Sequence, residues 1–73
     1  MEITVYEMVN DRLKQIFVGS TLHDPPELGD WTPKERRNFR VVETFQDRVE
    51  AKRFLERYAH WAPPRGWRVV RLP

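Results

Sequence analysis

Thr4–Ser20 reads TVYEMVNDRLKQIFVGS, and this stretch decides the fold. Ile3, Val5 and the residues after them are β-branched or aromatic, which suits a pleated surface. Asn10-Asp11 then interrupts the run with turn formers. Gln15–Val18 resumes it, and Gly19 stands where the chain leaves the sheet. The pattern predicts a β-hairpin with a short polar connection over Asn10–Lys14. In the first strand, Glu2–Val9, the residues Ile3, Val5, Glu7 and Val9 point one way and Thr4, Tyr6 and Met8 the other. Both sets are mostly apolar, as in a strand buried on both sides or the central strand of a small sheet. Whether Tyr6 and Phe17 share a face depends on a register that spacing leaves open.

Outward from the hairpin, Leu22–Asp30 (LHDPPELGD) holds two prolines and a glycine without periodicity and reads as a loop. Thr32-Pro33-Lys34-Glu35 is a helix start: a Thr cap, Pro at the first helical position and Glu closing a capping box. That helix ends near Asn38, and Trp31 before its cap is placed to pack back as a staple. Phe39–Phe45 (FRVVETF) is a third strand, with Phe39, Val41, Glu43 and Phe45 alternating with Arg40, Val42 and Thr44. Asp47, with Glu50 as its box partner, opens the main helix, which runs to about Ala62 and stops at Pro63-Pro64. Ala51, Phe54, Leu55, Tyr58, Trp61 and Ala62 share its core face; Arg53, Glu56 and His60 lie opposite. Gly66 then frees the chain for a last strand, Trp67–Leu72. The order β-β-α-β-α-β predicts one α+β domain over residues 1–73: a small antiparallel sheet that starts with a hairpin and is covered on one side by the main helix.

Seventy-three residues bury a small core, so every large apolar side chain matters. With no cysteine, disulfides and Cys-based metal sites are excluded. Nothing resembles a signal peptide, and no apolar run approaches the ~20 residues of a membrane span. The reading is a soluble, cytoplasmic chain. A net charge of +2, with arginine far outnumbering lysine, permits nucleic-acid binding without demanding it.

Thr4-Val5-Tyr6, ten residues, then Phe17-Val18-Gly19 resembles the paired motifs of the GIY-YIG nuclease family. Val9-Asn10 after the first strand and Ser20-Thr21 after the glycine fit the same pattern. So does Phe45–Ala51 (FQDRVEA), similar to the family's strand end, helix cap and Glu-Ala run. The resemblance covers about two-thirds of the chain. It implies a small antiparallel sheet, a helix carrying a metal-binding glutamate, and Mg²⁺-dependent cleavage of DNA. In that chemistry a tyrosine orients or activates the water, and an arginine steadies the phosphate. Tyr6 matches the first motif tyrosine. Phe17 replaces the second and lacks its hydroxyl, and Thr4 replaces the first glycine. Arg36 and Arg37 are the nearest substitutes for the arginine. The glutamate position falls on Leu55, with Glu56 one residue, or about 100°, away. The asparagine often found after this helix is missing; Pro63-Pro64-Arg65-Gly66 stands there. The resemblance therefore implies a degenerate nuclease relative that binds DNA, with Tyr6, Arg36, Arg37 and Glu56 as its catalytic set and Glu56 as its metal ligand if it cuts.

Elsewhere, His23, Asp24 and His60 lack the carboxylate neighbours of a metal site. Ser20, His23 and Asp24 stand too close in sequence to form a nucleophilic triad. Trp31, Trp61, Trp67 and Tyr58 are many rings for so short a chain. They build the core, or, beside Arg65 and Arg68, stack on a base or anchor an interface. The alternative to DNA, an active endonuclease or a relic, is a protein-interaction or oligomerising module. It predicts an exposed apolar patch with a Trp or Phe and a homodimer.

Overall fold

The computed structural model describes residues 2–24, 27–59 and 62–70. Strands β1 (Ile3–Asn10) and β2 (Gln15–Ser20) form the hairpin. Helix α1 (Pro33–Arg37) follows the loop, strand β3 (Phe39–Phe45) follows it, and helix α2 (Arg48–Ala59) leads to strand β4 (Arg68–Val70). The sheet order is β3-β1-β2-β4, so β1 is central as its two apolar faces require.

The hairpin register runs from Val5 opposite Ser20 to Asn10 opposite Gln15. At the turn, Asn10 Oδ1 accepts from the Leu13 N–H at 3.0 Å, and Lys14 takes a left-handed φ of 54°. This register places Phe17 opposite Met8 and Gly19 opposite Tyr6, so Tyr6 and Phe17 share a face, 6.3 Å apart. Gly19 lies beneath both rings. A Cβ there would stand 2.7 Å from Phe17 Cε1 and 3.0 Å from Tyr6 Cζ, so this position admits no side chain without moving them.

The sheet is mixed, not antiparallel throughout: β4 runs parallel to β2. The reason is topological. Strands β3 and β2 both run antiparallel to β1 and are therefore parallel to each other. A helical crossover over one face returns the chain in its starting direction, so the strand after α2 follows β3 and matches β2. The proposed end of that strand, Arg71 and Leu72, lies outside the described residues.

Both faces are covered, rather than one. On the first, Leu55 of α2 packs against Val5, Ile16 and Val18, with Phe54, Tyr58, Val42 and Phe45 around them. On the second, Leu28 and Trp31 pack against Met8 and Phe17. The loop is thus part of the core, and Trp31 acts beyond a staple: its Nε1–H donates to Gln15 Oε1 at 2.7 Å. The box at Thr32 and Glu35 forms with both reciprocal bonds. Asp47 caps α2 through Oδ1 and the Val49 N–H at 2.8 Å, without a return bond from Glu50 among the described residues. Of the expected α2 core face, Ala51, Phe54, Leu55 and Tyr58 lie inward, whereas Ala62 is past the helix and exposed. Trp61 and His60 lie outside the described residues. The alternation of β3 is broken by a bulge opposite Val5 and Tyr6. It sends Val42 and Phe45 towards α2 and leaves Phe39 and Val41 on the second face.

Candidate functional site

Tyr6 sits in the middle of the second face, packed against Met8 and Phe17. Its hydroxyl is pushed above the ordinary tyrosine value, first by burial and then by the charge of Asp24. Glu56 is exposed on α2, whose inward residues pack on the first face. The sheet therefore stands between Tyr6 and Glu56. They do not converge on one phosphate, and Leu55 fills the inward position beside Glu56.

Arg36 and Arg37 lie on the short helix over the second face, and they differ in use. The Arg36 guanidinium donates to the Trp31 carbonyl at 3.2 Å and to the Leu28 carbonyl at 2.9 Å. It ties the loop to α1 and is committed there. Arg37 is exposed, and no hydrogen bond or ion pair engages it among the described residues. Arg65 and Arg68 are exposed near the hairpin turn, where the Arg68 N–H donates to the Lys14 carbonyl at 2.9 Å and Lys14 Nζ lies 5.1 Å from the Trp67 ring centre. The expected set is thus spread over three places: Tyr6 with Arg36 and Arg37 on one face, Glu56 outside the other, and Arg65 and Arg68 at one end of the sheet.

A glutamate, an arginine and a tyrosine do meet, but they are Glu7, Arg40 and Tyr58. Glu7 Oε1 is paired with the Arg40 guanidinium, and Tyr58 donates to Glu7 Oε2 at 3.3 Å. Glu7 is 6% exposed, in the central strand, on the face that α2 covers. Burial and the neighbouring Glu7 charge raise the Tyr58 hydroxyl above its ordinary value, against the opposing charge of Arg40. Beside the trio opens a cleft of about 350 Å³, walled by Val9, Ile16 and Trp67. The composition of β1 held the signal: Glu7 is a charge in an otherwise apolar face. Its partners, 33 and 51 residues away, were not legible.

This trio anchors structure. Arg40 neutralises Glu7 and occupies Oε1, so the carboxylate offers a cation little charge and few free lone pairs. Glu56, the carboxylate expected to hold Mg²⁺, stands exposed, and no group of three or more His, Asp or Glu side chains among the described residues is placed to hold a metal ion. Neither location fits the ligand set that the resemblance implies. No described helix is long and apolar enough to cross a membrane. Comparison with protein-family models, with curated proteins and with solved structures gives no match.

Proposed function

We propose that this chain is a cytoplasmic GIY-YIG-like domain that binds DNA and has lost efficient cleavage. Three features support the scaffold. Tyr6 and Phe17 pack over Gly19 in the hairpin, β1 is flanked by β2 and β3, and β3 leads into the main helix. The observation that carries the loss of cleavage is the position of Tyr6 and Glu56 on opposite sides of the sheet. The missing Phe17 hydroxyl and the commitment of Arg36 to two carbonyls point the same way. Lys14, Arg65 and Arg68 at the hairpin end, with Arg37 on α1, supply exposed positive charge for phosphates.

The test is fluorescence anisotropy of labelled DNA across a salt series, with a parallel Mg²⁺ cleavage assay on linear and branched DNA. The expected result is binding that weakens steeply with salt, and intact DNA. Absence of binding at low salt overturns the reading. Mg²⁺-dependent cleavage that is lost in Glu56→Gln would instead make this an active endonuclease.

A second reading is favoured by one observation. Phe39 is 58% and Val41 57% exposed on β3, an edge strand with unpaired backbone groups. An interaction module, closing on a second copy or another protein, would cover them. A homodimer by light scattering that Val41→Lys dissociates would support this reading over the first.

A further inference from the structure

Three rings cross three adjacent strands on the second face. Phe39 of β3 lies 5.4 Å from Tyr6 of β1, and Tyr6 lies 6.3 Å from Phe17 of β2; both pairs are tilted by 53°. Exposure rises along the row. Phe17 is fully buried, Tyr6 half-buried and Phe39 mostly exposed. Each ring is backed by the one before it. Phe17 and Gly19 hold Tyr6, and Tyr6 braces Phe39, so a rigid aromatic surface stands in water. On the α1 side the acidic Glu35 is paired with Arg12, and Asp24 lies close enough to act on Tyr6. Arg37 stands two residues before Phe39 and Lys34 one turn earlier, both exposed. Arg40, though adjacent to Phe39, turns to the opposite face to meet Glu7.

A braced ring with cations beside it is the arrangement that unpaired bases use: the π-face takes the base and the cation its phosphate. A duplex keeps its base faces stacked inside and has little to offer such a ring. We propose that Phe39, braced by Tyr6, stacks an unpaired base of single-stranded DNA, with Arg37 on an adjoining phosphate. This rests on the DNA-binding reading and narrows its substrate. It also accounts for the exposure of Phe39 in a chain that needs its apolar groups for the core.

The experiment compares a short labelled single strand with a duplex of the same length, by anisotropy over a salt series. The wild type is expected to prefer the single strand. Phe39→Ala and Phe39→Leu are both expected to weaken single-strand binding roughly ten- to a hundredfold with an unchanged salt slope, because both remove the π-face. Phe39→Tyr keeps the ring and is expected to bind as the wild type does. Arg37→Gln is expected to make the slope of log affinity against log salt shallower by about 0.7. Full affinity in Phe39→Leu would mean general apolar docking and overturns the proposal. Preference for duplex overturns it too, while leaving the DNA-binding reading in place. Failure to bind either form removes that reading and this one together. A dimer that Phe39→Ala dissociates assigns the ring to self-association and overturns the proposal.

Discussion

Against the face that carries Val5, Ile16 and Val18 lies α2, twelve residues that turn Ala51 and Leu55 inward. Against the face that carries Met8 and Phe17 lies no long helix. Its cover is Leu28 and Trp31 from an irregular loop, with the five-residue α1 beside them. The first cover is held by apolar periodicity. The second is held by polar stitches: Arg36 to the carbonyls of Leu28 and Trp31, Trp31 to Gln15, and Arg12 of the hairpin turn to both Glu35 and the Asp30 carbonyl. The chain places its one long described helix on the first face. It closes its second face with two large apolar residues and side-chain-to-backbone bonds that fix an otherwise shapeless segment.

If the second face is as much core as the first, Phe17→Ala will cost as much as Leu55→Ala. Phe17 is fully buried, and its loss is expected to cost about 3–5 kcal/mol, against about 2–5 kcal/mol for Leu55. Urea unfolding measures both. A cost for Phe17→Ala below about 1 kcal/mol would break the comparison and make the loop a loose cover.

The next effect separates the partners of the ion pair on the first face. Removing Arg40 leaves Glu7 buried with Tyr58 and without its neutralising charge. Arg40→Met is therefore expected to cost about 1–3 kcal/mol. Removing Glu7 leaves an arginine whose side chain is 75% exposed, so water solvates what is left. Glu7→Met is expected to be close to neutral or stabilising, by up to about 1 kcal/mol. Equal costs for the two variants would contradict this account of the pair.

The smallest effect belongs to the stitches of the second face. The Arg12 guanidinium, and then the Thr32 N–H, hold the Glu35 carboxyl at about 2, below its ordinary 4.5. A carboxyl depressed in the folded state stabilises it above the unfolded value, and that contribution fades as the folded value is approached from above. Stability should therefore fall as pH drops from about 4.5 towards 2, and Glu35→Gln should flatten that acid limb. An acid limb unchanged by Glu35→Gln would mean that this clamp does not hold the loop.

The local elements were readable because their causes are local. The Thr32–Glu35 box, β3 over Phe39–Phe45 and the inward turn of Ala51 and Leu55 each follow from residues within one or two turns. The central place of β1 followed from its two apolar faces. The candidate site was less legible. Tyr6 and Glu56 read as members of one set, but a strand places its residue by a period of two and a helix by about 3.6. Which face of the sheet the helix crosses decides whether they meet.

By itself, then, the sequence determined the order of elements, their caps and the stripes they bury, because these rest on backbone preferences and short spacings. Only the tertiary structure decided that β4 lies beside β2, at the far edge of the sheet from β3; its parallel direction then follows from the helical crossover. It alone paired Glu7 with Arg40 and Tyr58, made a core out of Leu28 and Trp31, and left Phe39 exposed. In each case residues far apart in the chain were brought together by packing, and no local pattern records which distant partner fills a given space.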